Sequence, residues 1–488
     1  MADAATQDAS QDPSTPSVAY EALSGMWERI RDILSGADAI KEKSEAYLPS
    51  YPAEASDEYD RRLRSTPWRP EFEDALRSLV SRPFSKEVTL ASNTQEDTKA
   101  LAENIDGRGN NLHVFAEGLF REAIAMGAVA ILVDFPVVRE GATRAETRNL
   151  RPYWVPICAD EIIALRTEWR GAIEVVTHLR ISETAVVYNG FEEVEVEQIR
   201  ILEPGTWEVW RKENNSGSDV VNKWYRYAGG TSRLNIVPLV FIALNKREGA
   251  QFVKPPLNDL AVMQIELYQA LSRKDEVLTY AGSPMLAAIG IAPPQENGNA
   301  VSVAVGPKTV LFAPPGPVEG PPPDWKYIQP DAANIKEVRE DVRSVIDDMR
   351  RLGLQPLIPR SGNVAATASG VDAFKGDSAV QTWANALKDG LEQAWVFTQM
   401  WRNSTEVVKV SVHTDFSVGA FGSEELRELR EARAKGQITR RTYHLELMRR
   451  GVLGPQFDLE SEAKALGPDE PPTPDPEGGA TPSEPGDN

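Results

Sequence analysis

Cysteine is nearly absent: one in 488 residues, Cys158, so no disulfide can form within the chain. Its neighbours Trp154, Val155, Pro156 and Ile157 are apolar, the setting of a buried, inert thiol rather than of a nucleophile. Histidine is scarce too. His113, His178, His413 and His444 stand far apart, none at i, i+4 from another and none beside a cysteine, so a zinc site is not expected. No G-x-S-x-G occurs. The stretches nearest to phosphate loops fall short: "VGPKTV" (305–310) lacks the upstream glycine, and "DGRGNN" (106–111) follows a helical pattern instead of a strand. No catalytic residue, cofactor or metal ligand emerges, and the chain is not expected to be an enzyme.

Long apolar runs are missing as well. The longest, Ala123 to Val133, is far short of the roughly 20 residues a membrane span needs, and the opening "MADAATQDASQDPSTPS" has no apolar core for a signal peptide. A soluble protein kept in a reducing compartment, with no membrane partner, is the expectation. Positive charge is in deficit: 53 Lys and Arg against 73 Asp and Glu, a formal charge of -20. A sequence-independent nucleic-acid binder grips phosphates with a basic surface, which this chain lacks. An acidic surface does suit a protein past which DNA must move without sticking, because like charges repel.

What is present is an ordered series of helical and strand patterns. "ALSGMWERIRDIL", "EFEDALRSLVSR" and "NNLHVFAEGLFREAIAMG" read as amphipathic helices, the last ending at Gly127 and running into the strand-length "AVAILVDFPV". A strand-rich stretch follows, with Asn189-Gly190 between β-branched runs as a hairpin signal, then "TWEVWRK", "KWYRYAG" and "IVPLVFIAL". "PPLNDLAVMQIELYQALSRKDEVLTYAG" reads as a helix with Asp259 as its cap and Leu260, Met263, Leu267 and Leu271 as its stripe. A Pro-rich segment with strand-like "AVSVAV" and "TVLF" leads to a second helix, where Ile335, Val338, Val342, Val345, Met349 and Leu352 keep a/d spacing. Beyond "GLQPLIPRSGNVAATASGVDAFKGDS" a third helix carries Val380, Trp383, Leu387, Leu391 and Ala394. "STEVVKVSV" reads as a strand, and short helices with Thr439 and Asp458 as caps close the series. Both ends are small, polar and Pro-rich, the composition of disordered tails.

In that order of parts the sequence resembles the portal proteins of tailed bacteriophages, over roughly residues 18–466. "ENIDGRGNNLHVFAEGLFREAIAMGAVAILVDFP" and "PPLNDLAVMQIELYQALSRKDEVLTYAGSPMLAAIGI" look like portal-like phage families, and "GQITRRTYHLELMRRGVLGPQFDLESEAKAL" is similar to their crown ending. The resemblance implies an α+β ring subunit: an α+β wing, a two-helix stem, a small β-rich clip and a helical crown. The boundaries it implies are a disordered tail over 1–17, wing 18–254, first stem helix 255–282, clip 283–328, second stem helix 329–352, tunnel loop 353–371, long wing helix and strand 372–418, crown 419–466 and a disordered acidic tail 467–488. It further implies a ring of this chain, a dodecamer, at one capsid vertex of the virion, made in the host cytoplasm, through which double-stranded DNA is packaged, retained and ejected. Terminase, a head-completion or adaptor protein and the major capsid or scaffold protein are the partners so implied.

Site residues follow from the same picture. One loop per subunit would converge on the ring axis, where small Gly362, Ala365, Ala366, Ala368 and Gly370 permit crowding. Arg360, Ser361, Gly362, Asn363, Thr367 and Ser369 are the expected DNA-facing residues of that loop. On the second stem helix Lys336, Arg339, Arg343 and Arg350 fall within about 60° of one another. They line the channel on this reading, or form an ordinary solvated face with intrahelical ion pairs. Two other classes stay open: another virion structural protein, such as a baseplate or tail component, and a head-associated hydrolase. A flexible linker remains the alternative for the 353–378 stretch.

Overall fold

The structure is a computed structural model and describes residues 12–136, 150–212, 224–282, 285–289, 295–296, 299–300, 323–328, 332–353, 366–414, 416, 423–449, 452–453, 457 and 459–467. The fold is α+β. The "AVSVAV" and "TVLF" strands (apart from Ala300), the Asp458 cap and most of both tails lie outside the described residues.

Residues 12–17 of the tail expected over 1–17 are tied to the body. Asp12 ties Ser14, the Pro13 carbonyl accepts from Arg180 Nη1 at 2.9 Å, and the Ser17 amide donates to Ile163 O at 2.8 Å. Ser17 also caps helix α1 (Val18–Ser35), its hydroxyl accepting from the Tyr20 amide. On α1, Leu23, Trp27, Ile30 and Ile33 form the buried stripe, and Trp27 Nε1 donates to Met126 O at 2.9 Å. Short helices α2 (Ala37–Glu42) and α3 (Ser56–Ser65) lead to α4 (Glu71–Ser81), which buries Phe72, Leu76 and Leu79. Strand β1 (Thr89–Leu90) and α5 (Glu96–Ala102) precede α6 (Leu112–Met126), a helix whose inner residues are nearly all buried.

Helix α6 stops where the glycine signal put it. Gly127 has φ +88° and returns its amide to Ala123 O, and a Cβ there would meet Pro255 and the Val253 carbonyl at 3.0 Å. Gly127→Ala is therefore expected to lower stability by about 2 kcal/mol, through strain and crowding together. Urea unfolding reads it; an unchanged midpoint would mean the turn relaxes freely.

Strand β2 (Ala128–Asp134) lies between β3 (Tyr153–Cys158) and β9 (Leu239–Ala243), antiparallel to both. Its unbroken apolar run has a physical reason. Val129, Ile131 and Val133 face the main helical core, while Ala130 and Leu132 face a second core with Ile162, Leu165, Leu179 and Ile181. A strand buried on both faces has no polar face to alternate. The second core belongs to a five-stranded antiparallel meander: β4 (Ile162–Arg170), β5 (Ile173–Asn189), β6 (Glu192–Glu203), β7 (Thr206–Lys212) and β8 (Trp224–Thr231). Gly190, φ +67°, turns the β5–β6 hairpin as its Asn-Gly signal requires.

From this body an outgoing helix, Asn258–Gly282, leads to β10 (Met285–Ile289), then to two-residue strands β11 (Gln295–Glu296) and β12 (Asn299–Ala300) and to β13 (Asp324–Ile328). β10 pairs antiparallel with β13, and a returning helix, Ala332–Leu352, packs back along the outgoing one. The cap expected at Asp259 is not one. Asp259 sits inside the first turn, where its carboxylate accepts from Asn258 Nδ2 at 3.2 Å and from Lys254 Nζ at 3.3 Å, and these, Asn258 foremost, hold it below the usual carboxylate range. A long helix, Ala366–Arg402, follows and lies on β2 and β9, with Val380, Leu387, Leu391 and Ala394 fully buried. The strand expected over "STEVVKVSV" is only β14 (Val410–Ser411), paired with β1, since Ser404 and Glu406 are engaged with the end of the long helix. Helices Ser423–Ala434, Arg440–Arg449 and Leu459–Leu466 end the described chain, with Thr439 capping the second by accepting from the Thr442 amide.

Candidate functional site

Of the a/d positions read from the sequence, Val342 and Met349 are buried and Ile335, Val338 and Val345 half-buried, while Leu352 is exposed; Ile346, outside that spacing, completes the inner face of the returning helix. Val342, Ile346 and Met349 are buried against the outgoing helix and α4. The helix ends at Gly353, whose amide returns to Met349 O at 2.8 Å. A Cβ at Gly353 would stand 2.9 Å from the Ala75 Cβ and 3.7 Å from Leu260, so glycine lets this end close onto α4 and the root of the outgoing helix. The small-residue segment thus leaves from a fixed point on the body.

Arg360, Ser361, Gly362 and Asn363 lie outside the described residues. Thr367 and Ser369 belong to the first turns of the long helix, which begins at Ala366, ahead of the 372 expected for it. Ala366, Ala368 and Ala373 are strong helix formers, and two glycines were not enough to hold this stretch open.

The four stem cations do not form one open row. Lys336, with 79% of its side chain exposed, reaches Glu340 on its own helix at 3.7 Å. Arg350 turns inward to Glu71 of α4 at 3.5 Å. Arg339 and Arg343 line a groove of about 330 Å³ between the two helices, where Arg69 and Lys274 join them over an apolar floor of Leu278, Val342 and Ile346. Sequence spacing could not have found this set, because its four cations come from three separate segments.

A larger cavity, about 520 Å³, opens between the two sheets and the end of the long helix. Several of its polar groups are paired. Arg200 pairs with Asp134 at 3.2 Å and Glu183 at 3.0 Å, and burial together with Asp134 pushes the Tyr153 phenol up to about 12. Trp401, stacked on Phe135, donates its indole N–H to Val133 O at 2.9 Å. Burial, reinforced by Glu122 and Glu161, pushes the Cys158 thiol well above its ordinary value, so it stays protonated at neutral pH. Among the described residues no group of three His, Cys, Asp or Glu could hold a metal ion, and no helix is long and apolar enough to cross a membrane.

A family model described as a domain of unknown function, DUF4055, matches residues 256–402. That span runs from the start of the outgoing helix through the returning helix to the last residue of the long one. No curated protein matches. Among solved structures, the chain is similar to one from the neck of a native gene transfer agent (GTA) particle computed with C12 symmetry. Identity there is 12% and the TM-score 0.41, covering 83% of this chain and 98% of that one. A chain of the native GTA virion is 13% identical with a TM-score of 0.37, covering 88% and 98%. One from the neck of an empty particle computed with C6 symmetry is 13% identical with a TM-score of 0.40, covering 84% and 93%. Identities and TM-scores this low establish no shared function.

Proposed function

We propose that this chain is a portal subunit: a structural component of a phage-like virion whose copies form a ring around a DNA channel at one capsid vertex. One observation carries the reading. Two antiparallel helices project a β10–β13 ladder from an α+β body, and the returning helix, locked by Gly353, hands the chain to a small-residue segment and then to a 37-residue helix seated on the central sheet. On this reading the two helices are the stem, the ladder is the clip at its tip, and the segment after Gly353 is delivered from a rigid point. The segment 353–365 is the channel loop on this reading, with Arg360, Ser361, Gly362 and Asn363 against passing duplex. Terminase docks at the clip and supplies the energy, while adaptor, scaffold or capsid proteins take the other surfaces. A formal charge of -20 keeps DNA from adhering as it moves.

Electron microscopy of the purified chain, with its solution mass measured alongside, tests the proposal. The expected result is a ring with a central hole and a mass near twelve times the 53.8 kDa subunit. A well-defined dimer without a pore would overturn it and favour a tail or baseplate component. Metal-stimulated cleavage of DNA would favour a hydrolase instead.

A further inference from the structure

The returning helix is divided lengthwise into three faces. Val342, Ile346 and Met349 point inward. At 100° per residue Lys336, Arg339, Arg343 and Arg350 occupy one flank about 60° wide, and Glu337, Glu340, Asp341, Asp347 and Asp348 occupy the other, about 120° wide. The basic flank carries no acid, and the acidic flank carries one cation, Arg351, which Asp348 pairs. Lys336–Glu340 and Arg351–Asp348 are the pairs formed within the helix. Glu337, Asp341 and Asp347 are exposed and have no ion pair among the described residues.

Arg339 and Arg343 of the basic flank form one wall of the groove, where they, Arg69 and Lys274 have no ion pair among the described residues. Four cations around about 330 Å³ repel one another, so the free chain holds an uncompensated positive site on a strongly acidic molecule. The apolar floor of Leu278, Val342 and Ile346 suits a protein surface better than a phosphate backbone.

We propose that the groove receives the acidic flank of the returning helix of a second copy of this chain, resting on the ring reading given above. Arg339 and Arg343 are four residues apart, as are Glu337 and Asp341, about 6 Å along the axis. Two parallel returning helices related by rotation about the stem axis stand at equal height, so Glu337 and Arg339 of neighbouring copies are two residues, about 3 Å, apart along the axis, as are Asp341 and Arg343, an offset that an arginine side chain spans. Copies related by rotation about an axis running along the stem keep these helices parallel. Each then shows its basic flank to one neighbour and its acidic flank to the other, the head-to-tail contact that closes into a ring. A two-fold pair centred on the groove would set cation against cation. Arg339 and Arg343 are thereby assigned to the neighbouring subunit and not to the channel.

Charge exchange tests this on the full chain, with assembly followed by native mass and sedimentation. R339E/R343E and E337R/D341R are each expected to raise the concentration needed for assembly at least tenfold. The fourfold variant R339E/R343E/E337R/D341R restores complementary flanks and is expected to assemble as the wild type does. Circular dichroism matched to the wild type shows that the variants are folded. Rings from both double variants at wild-type concentrations would overturn the inference and leave the portal reading standing. So would folded monomers from all three variants, since restored complementarity would then count for nothing. Normal rings that lose retention of duplex DNA would assign the groove to phosphates and overturn it equally. A wild type that never assembles would overturn the ring reading, and this inference with it.

Discussion

Arg62→Ala is expected to cost about 3–5 kcal/mol, because it removes one partner of a buried ion pair and strands the other. Arg62 and Glu54 have side chains only 4% and 6% exposed and meet at 2.7 Å. The contact is bidentate, Nε and Nη2 each at 2.7 Å from a carboxylate oxygen, and Nη2 also donates to Pro49 O at 2.9 Å. Tyr51 lies under the guanidinium at 4.2 Å. Nη1 reaches Ser272 Oγ at 3.4 Å, so the same side chain joins α3 to the outgoing helix. Urea unfolding of R62A, E54Q and the double variant measures the pair. The double variant is expected to lose less than the two single losses added together, since no charge is left unpaired. Strict additivity would mean the pair is not the source of the effect.

The same pair sets a pH dependence whose sign is determined. The hydrogen bonds from Arg62, then the Tyr51 amide, outweigh burial and hold the Glu54 carboxyl below its ordinary value. Across the window between its folded and unfolded values the unfolded chain binds more protons, so stability rises with pH there. Its contribution is complete at neutral pH and is lost as pH falls through the lowered folded value. E54Q, having no carboxyl to titrate, should show a shallower acid limb than the wild type. An identical acid limb would assign that dependence to other carboxylates.

Trp154→Ala should have a comparable effect, about 3–5 kcal/mol, through a cavity opened where three elements meet. Trp154, on β3, is 1% exposed. Its ring packs edge-on to Trp395 of the long helix at 5.2 Å and to Phe115 of α6 at 5.7 Å. The indole N–H donates to Thr398 Oγ1 at 2.8 Å, and that hydroxyl donates to Ala394 O at 2.9 Å. Removing the ring therefore loosens the long helix on the sheet as well as emptying a site. Trp154→Phe keeps most of the volume and should lose less than half as much. Equal losses from both variants would make the hydrogen bond, and not the packing, the dominant contribution.

Neither of these two residues could be picked out from the sequence. Arg62 reads as one of several charges in "YDRRLRS", and its value depends on Pro49, Glu54 and Ser272 being brought around it. Trp154 reads as an apolar strand residue whose partners lie 39 and 241 residues away along the chain. By contrast the Gly127 stop, the Asn189-Gly190 turn and the inward placement of Val342 and Met349 were legible, though Ile346 was missed. Each of those is dictated by neighbours within one or two turns of backbone, where local sterics and side-chain period leave little choice.

The candidate site divides along the same line. The grouping of Lys336, Arg339, Arg343 and Arg350 on one flank is a property of spacing alone, and any helix over 332–352 would carry it. Which charges are in contact is not. Arg350 is drawn to Glu71, Lys336 to Glu340, and Arg339 and Arg343 to a groove shared with Arg69 and Lys274. The start of the long helix shows the limit from the other side, since glycines at 370 and 376 argued for loop while the alanines around them continued the helix. By itself the sequence determined the order of elements, their inner faces and the hand-over from helix to strand at Gly127, because these follow from backbone geometry and hydrophobic period. Only the tertiary structure decided which charges are paired, which are left for a neighbour and where the stem is rooted, because a charge takes its value from whatever the fold sets beside it.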